Sequence, residues 1–308
     1  MAPAGAAARP GPEAIAIGAL LWDVIATATA EGPFAPGDDV PGRVVCRPGG
    51  VALNLALALQ RAGIATAILA QVGADAAGRA LLRAVARQGV ATHGIDPLPG
   101  VATGRYVAIE AGGRLIGAVA DTGALETAGR ATLLAALEDG RLASPGVPWR
   151  GLAVIDGNLS APLLAEIAAG GLLAQADLRL CVPSPAKARR LAPLAGLAGA
   201  TLYLNRAEAE AFCAAPLADA RRAAAALIRA GVARVLVTDG AAPAAFATAG
   251  GPILTATPAA VPVRRVTGAG DALVAAHVAA ERAGADPPAA LAAALAAAAR
   301  HIAGETAP

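Results

Sequence analysis

Lysine is almost missing from this 308-residue chain, and the only one is Lys187. A GxxxxGK[ST] phosphate loop needs a lysine behind its glycines, so that class of nucleotide-binding protein is excluded. The three serines, Ser144, Ser160 and Ser184, lack a GxSxG setting, which removes the nucleophile elbow. Cys46, Cys181 and Cys213 are odd in number, far apart and without a CxxC, so neither a disulfide framework nor a zinc cluster is expected. His93, His277 and His301 are equally scattered, and there is no HExxH. Aromatic residues make up only 2% of the chain, and 25 basic against 23 acidic residues leave a formal charge of +2. The basic, ring-interleaved patch of a nucleic-acid binder is therefore absent. Alanine carries much of the 56% hydrophobic fraction, which is no membrane signal. The charge-free stretch Gly240–Val263 is cut by Pro243, Pro252, Pro258 and Pro262, and the run Ala289–Ala299 is too short to span. Residues 1–12 have no apolar h-region and read as a disordered lead-in rather than a signal peptide, with 304–308 as a tail. The expected setting is the cytoplasm.

What is there alternates. Ile15–Leu20 reads as a short buried strand ending at Trp22–Asp23, followed by strand-rich pieces over 24–46. Gly49–Gly50 opens a helix through Val51–Ala62, a strand follows at Thr66–Val72, and Asp75 caps a helix over Ala76–Gln88. Thr103–Glu110 and Leu115–Asp121 form a hairpin, so strands over about 102–121 join those of 24–46 in a small sheet set apart. Strands then fall at Leu152–Ile155, Leu178–Val182, Thr201–Leu204 and Val235–Thr238, with helices near 162–169, 186–191, 206–213 and 219–230. A hairpin, Ala244–Thr248 with Ile253–Thr257, precedes helices at about 269–283 and 288–303. This rhythm predicts one α/β domain over 13–303: a doubly wound, mainly parallel sheet flanked by helices.

The chemistry concentrates in Val266-Thr267-Gly268-Ala269-Gly270-Asp271. Small residues open a helix there, so the backbone N–H groups of Gly268, Ala269 and Gly270 can converge on an anion. Asp271, in the first turn, sits beside that anion. This suits phosphoryl transfer, in which the amides neutralise developing charge while Asp271 accepts the proton of the attacking hydroxyl. A carboxylate at a helix N-terminus is expected to have a low pKa. Pro48-Gly49-Gly50-Val51-Ala52-Leu53-Asn54 adds a close backbone approach with an amide one helical turn on.

Taken in order, Gly-Gly-x-x-x-Asn-x-Ala, Val-Gly-x-Asp-x-x-Gly (72–78), Asn205-x-x-Glu208 and Thr-Gly-Ala-Gly-Asp resemble the PfkB (ribokinase-like) carbohydrate and nucleoside kinases over about 13–303. The resemblance implies ATP and Mg²⁺ as cofactors and a β lid built from the two excursions. It also implies roles. Asp23, Gly49, Gly50 and Asn54 would hold the sugar. Asn205 and Glu208 would organise Mg²⁺ and the phosphates. Thr238, Gly240 and Thr267 would lie by the nucleotide, Asp271 would be the base, and Gly268–Gly270 the anion hole. Within the family, Thr103–Ile109 with Ala118–Asp121, Ile155–Ser160 and Ser184–Ala188 are most similar to pseudouridine kinases. Tyr106 would then stack on a base or pack inside the lid, and Asp121 would face the sugar or merely end its strand. A homodimer through the lid fits the same resemblance.

Two departures stand out. Arg265, preceded by Arg264, replaces the acid that helps bind a monovalent cation in ribokinase-like members, and an arginine cannot ligate K⁺. Either its guanidinium supplies the charge or both arginines are solvated. Cys181 replaces the acid of Asp-Pro-Val-Ser and reads as a small buried residue. The expected reaction is phosphorylation of the 5′-hydroxyl of a nucleoside, pseudouridine first. The alternatives are a kinase of ribose, fructose or adenosine, or a sugar- or nucleoside-binding regulator that has lost turnover. A nicotinamide-dependent oxidoreductase is disfavoured, because the first strand carries no GxGxxG. His277 is expected to pack, and His93 and His301 to lie at the surface or in loops.

Overall fold

The structure is a computed structural model that describes residues 11–29, 37, 39–111 and 114–305. Most of the expected lead-in, the end of the tail, much of the link inside 24–46 and the tip of the 103–121 hairpin lie outside the described residues.

The chain begins with β1 (Ala14–Ile17), all four residues buried, and goes straight into β2 (Leu21–Ala28) and β3 (Gly42–Gly49). Next come α1 (Val51–Arg61), β4 (Thr66–Leu69), α2 (Ala76–Arg87), β5 (Arg105–Ala111) and β6 (Arg114–Asp121). Three single-turn helices that the sequence pattern did not single out follow: α3 (Gly123–Glu126), α4 (Arg130–Leu133) and α5 (Ala135–Glu138). The regular half contains β7 (Leu152–Asp156), α6 (Ala161–Ala169), β8 (Asp177–Cys181), a 3₁₀ helix at Pro185–Leu191 and α7 (Ala192–Ala195). It continues through β9 (Thr201–Asn205), α8 (Arg206–Cys213), α9 (Ala220–Arg229) and β10 (Arg234–Asp239) to the hairpin β11 (Ala242–Thr248) and β12 (Ile253–Ala256). Two long helices close the fold, α10 (Ala269–Arg282) and α11 (Pro287–Ile302).

Eight strands form the large sheet in the order β12-β11-β10-β9-β8-β7-β1-β4, parallel from β4 to β10 and antiparallel at β11 and β12. Period-two alternation sends Ile15, Ile17, Ala153 and Ile155 into one apolar layer and Ala14, Leu152 and Val154 into the other. The first layer packs on α6 to α9, through residues such as Leu163, Phe212 and Leu227. The second packs on α1, α10 and α11 through Leu59, Val278 and Leu291, with α2 alongside through Leu81 and Val85. This is a three-layer, doubly wound sheet. The strand order reverses between β1 and β7, and in open α/β sheets ligands settle in the crevice beyond the strand ends at such a reversal.

The small sheet, β3-β2-β5-β6, is separate. The expected first strand running to Trp22–Asp23 is corrected here: the core strand stops at Gly18, whose φ of +152° and close approach to the Asp156 side chain leave no room for a Cβ. Trp22 and Asp23 belong to the small sheet instead. Asp23 pairs with Arg47 on one side and Tyr106 on the other.

Candidate functional site

The five longer helices away from the strand-order reversal start on side-chain caps. Asp75, Ser160, Asn205, Asp219 and Asp286 each accept a backbone N–H in the first turn of α2, α6, α8, α9 and α11. α1 and α10 start on Gly50 and Gly268 with no side-chain cap, so no capping side chain competes with a ligand for the amides there. Both glycines have positive φ, 103° and 91°, and a Cβ on Gly50 would lie 2.3 Å from the Ala19 carbonyl oxygen.

Between the strand ends and the small sheet lies a cavity of about 770 Å³. Asp23, Gly50, Asn54, Tyr106 and Thr267 all line it. Gly49 sits just behind, with a Cβ position only 2.2 Å from the Asp23 carboxyl, so the carboxylate passes over bare backbone. Burial raises the Asp23 carboxyl above the usual range, and Arg47 opposes the rise. Tyr106 is the register partner of Asp23 in β5 and faces the same cavity, rather than packing inside the lid. Asp121 is not part of this wall. It is exposed at the end of β6 and accepts the Gly123 N–H at 3.3 Å, while the next residue, Thr122, lines the cavity.

The floor is built on Asp156, at the end of β7 and fully buried. Its carboxylate accepts the Ala19 N–H at 3.0 Å, the Asn158 N–H at 2.9 Å and the Asn158 amide at 2.9 and 3.0 Å. With its NH₂ committed downward, Asn158 turns its Oδ1 to the Lys187 ammonium at 2.7 Å. Asn158 and Lys187 both line the cavity, so the chain's one lysine is held there by a three-residue relay. Sequence alone gives Asp156, Asn158 and Lys187 no role; the signal available is the presence of a single lysine.

Directly after Thr267, which lines the cavity, comes the glycine turn. Of the three expected anion-holding amides, Ala269 is corrected: its N–H donates to the Val266 carbonyl at 3.1 Å. The Gly268 and Gly270 amides make no hydrogen bond among the described residues. Asp271 also departs from expectation. Instead of falling, its pKa is pushed up to about 7, first by loss of water around it and then by the Asp156 carboxylate. Desolvation outweighs the helix terminus. Cys181 is buried and its thiol is raised well above the ordinary value, as fits a packing residue.

On the far side, Thr238 and Asn205 are register partners at the ends of β10 and β9, and Gly240 turns the chain into β11. Asn205 and Glu208 form a capping box: Asn205 Oδ1 accepts the Glu208 N–H at 3.0 Å and Glu208 Oε2 accepts the Asn205 N–H at 2.8 Å. Burial raises the Glu208 carboxyl. Arg206, missed in the sequence, bonds Asp239 at 2.9 Å and clamps this edge. The Val-Gly-x-Asp-x-x-Gly motif works at the lid's root. Asp75 accepts from the Gly78 N–H, the Thr103 N–H and the Thr103 hydroxyl at 2.7, 3.0 and 2.6 Å, which hold it down at about 2 and tie α2 to the entry of β5.

His277 packs as expected, fully buried, with its Nδ1 2.8 Å from the Tyr203 hydroxyl. His301 does not lie at the surface: it is 5% exposed on α11, with Nε2 2.8 Å from the Thr267 carbonyl oxygen. No helix among the described residues is long and apolar enough to cross a membrane, and none of those residues form a group of three or more His, Cys, Asp or Glu suited to a metal ion.

A large, mainly parallel sheet flanked by helices, with a small separate sheet, is the architecture of the ribokinase-like fold. The chain belongs to the pfkB family of carbohydrate kinases, whose model matches residues 12–305. Among solved structures it is similar to a carbohydrate kinase from Agrobacterium tumefaciens (28% identity, TM-score 0.76, covering 93% of this chain and 89% of that one). Arabidopsis thaliana ribokinase, solved with ribose and ATP, is similar at 21% identity and TM-score 0.75, covering 95% and 93%. The adenosine kinase from Sinorhizobium meliloti follows at 19% identity and TM-score 0.72, covering 94% of each chain. No curated protein matched.

Proposed function

We propose that this protein transfers the γ-phosphoryl group of ATP to the 5′-hydroxyl of a nucleoside, with pseudouridine as the first acceptor to test. The observation that carries the nucleoside reading is Tyr106. It lines the cavity from the strand next to Asp23, as that residue's register partner, so an aromatic side chain stands beside the carboxylate proposed to grip sugar hydroxyls. The volume, about 770 Å³, lies within the range of about 300–1,000 Å³ typical of small-molecule sites and has room for a base above a pentose. Glu110, Arg47 and Lys187 in the same walls offer an acceptor and donors for the edge of a base.

In this reading Asp23 and Asn54 bind the sugar, and the Gly268 and Gly270 amides receive charge on the moving phosphoryl group. Asp271, held near neutrality, takes the hydroxyl proton; a base of that pKa is half ionised at the working pH, where general-base catalysis is most efficient. Asn205 and Glu208 fit a magnesium ion that keeps most of its water and its phosphate ligands, since one Glu208 oxygen is left over from the capping box. When bound, the ion neutralises phosphate charge. The outer face of the small sheet, with Val24, Cys46, Val107 and Val119 in one row across its four strands, is the surface through which two copies would pair.

Release of ADP from Mg·ATP should be measured with pseudouridine, uridine, ribose, fructose and adenosine in parallel. Turnover confined to pseudouridine supports the full reading, and Tyr106→Ala should then lower kcat/KM for the nucleoside by about 3–10-fold, the loss of one stacking contact. Turnover on ribose or adenosine instead would keep the kinase and discard the Tyr106 argument. Ligand binding without ADP release on any acceptor would point to a regulator that has lost turnover.

A further inference from the structure

The turn that carries the open amides is held from behind by the last turn of α11. Arg264 and Arg265 both donate their backbone N–H groups to the Ile302 carbonyl, at 2.9 and 3.1 Å, and the Gly304 backbone lies against the Arg264 side chain. Three residues further along the same turn, the His301 ring is seated on Gly268: a Cβ there would come within 3.1 Å of Cε1 and Nε2 and press on the imidazole. His301 Nε2 is 2.8 Å from the Thr267 carbonyl oxygen. A carbonyl oxygen can only accept, so Nε2 carries the proton in this contact.

In a trans peptide the C=O and the following N–H point in opposite directions, and the described chain contains no cis bond. Pinning the Thr267 oxygen toward α11 therefore turns the Gly268 N–H the other way, away from α11, and Thr267 itself lines the cavity. Gly268, with φ +91° and ψ −2°, is the third residue of a turn closed by the Ala269 N–H on the Val266 carbonyl; glycine tolerates this plane and its flipped alternative with the same closing bond, so the turn alone does not select between them. We propose that His301 is a positioning residue for phosphoryl transfer: by donating Nε2–H to the Thr267 carbonyl, it sets the peptide plane that aims the Gly268 amide at the transferred phosphoryl group. The inference rests on the anion-hole reading above. It adds a residue that touches neither acceptor nor nucleotide and acts through one peptide bond.

Two variants separate aiming from packing. His301→Phe keeps a ring of similar size and loses the donor, whereas His301→Gln places an amide N–H near the Nε2 position. The expected result is a fall in kcat of about 10²-fold for His301→Phe, the lower end for loss of an oxyanion donor, with acceptor KM within about 3-fold of the unsubstituted protein. His301→Gln should recover most of that loss. Equal losses in both variants that track a fall in thermal midpoint would overturn the proposal and leave His301 a packing residue, as would unchanged kcat in His301→Phe. If the unsubstituted protein turns over no acceptor, the kinase reading fails instead. The inference is then read by calorimetric binding of ADP and inorganic phosphate, which His301→Phe should weaken and His301→Gln should not; equal affinity in both variants would overturn it.

Discussion

The two sheets of this protein use their faces in opposite ways. Every residue of β1, β4 and β7 is buried, and helices cover both sides of the large sheet. The small sheet has no helical layer of its own over most of its area. One face lines the cavity through Asp23, Arg47 and Tyr106, and the other leaves Val44 66% and Val119 71% exposed. Only near its root does α2 reach it, where Trp22 Nε1 donates to the Ala77 carbonyl at 3.1 Å. The large sheet brings charge together at fixed points, with Asp156 and the start of α10 over neighbouring strand ends. In the proposed reading the small sheet would supply acceptor contacts that can change without disturbing the core, so that chemistry would belong to the first and selectivity to the second.

The sharpest way to break that division is at Asp271. Asp271→Asn should lower turnover by about 10²–10⁴-fold, the usual worth of a general base, while acceptor KM stays close to its original value because Asp23, Asn54 and Tyr106 are untouched. If KM rose as much as kcat fell, the separation of the two regions would be wrong. The same carboxyl makes stability depend on pH. Its pKa is raised from 3.8 to about 7 on folding, so between those values the folded state holds more proton than the unfolded state. Stability from this group therefore falls as pH rises from about 4 to about 7 and stays lost above that. Asp271→Asn removes the penalty, and its thermal midpoint should exceed that of the unsubstituted protein by a few degrees at pH 8, with the difference closing below pH 4. The log of kcat/KM against pH should bend near pH 7 on its acid side.

A pair of apolar substitutions tests the comparison on stability alone. Ile155→Ala, in the centre of the large sheet, should cost about 2–5 kcal/mol in denaturant unfolding, since the buried side chain leaves a cavity between two covered layers. Val44→Asp, on the open face of the small sheet, should change unfolding by less than about 0.5 kcal/mol, as exposed substitutions do. Its effect should appear in sedimentation instead, as loss of a dimer joined through that face. A destabilisation of Val44→Asp as large as that of Ile155→Ala would mean that the small sheet carries the core.

The same contrast explains how much of the molecule is legible in the sequence. Fully buried strands such as Leu152–Asp156 stand out as short apolar runs between helices, so the large sheet and the order of its elements follow from pattern alone. Trp22 and Asp23 were placed at the end of a core strand because nothing in the sequence shows that the Asp156 side chain, 133 positions beyond Asp23, crowds Gly18 and ends that strand there. The helix starts at Gly50 and Gly268 were legible as motifs. That Ala269 spends its amide on Val266, that Asp271 is driven up rather than down, and that His301 lies beneath Thr267 all depend on contacts between distant segments. The single-turn helices α3 to α5 were missed because four residues hold too little periodicity to register.

The smallest expected effect is a null one, at the boundary between the two regions. The family resemblance implies an acid at this point of the chain that helps bind a monovalent cation, and here that residue is Arg265. The segment it belongs to is fastened from α11 by two backbone amides on the Ile302 carbonyl and by the imidazole on Thr267. A loop already fixed from behind gains nothing from an added cation, and a guanidinium in the segment repels one. Initial rates at constant ionic strength should therefore be the same in KCl and in tetramethylammonium chloride, within measurement error. A rise of several-fold with K⁺ would show that a cation site survives without its acid. It would also show that the contacts from α11 leave the turn loose, which weakens the role assigned to His301. Equal rates, joined to a loss in His301→Phe, would place the support of the anion turn on protein side chains and backbone.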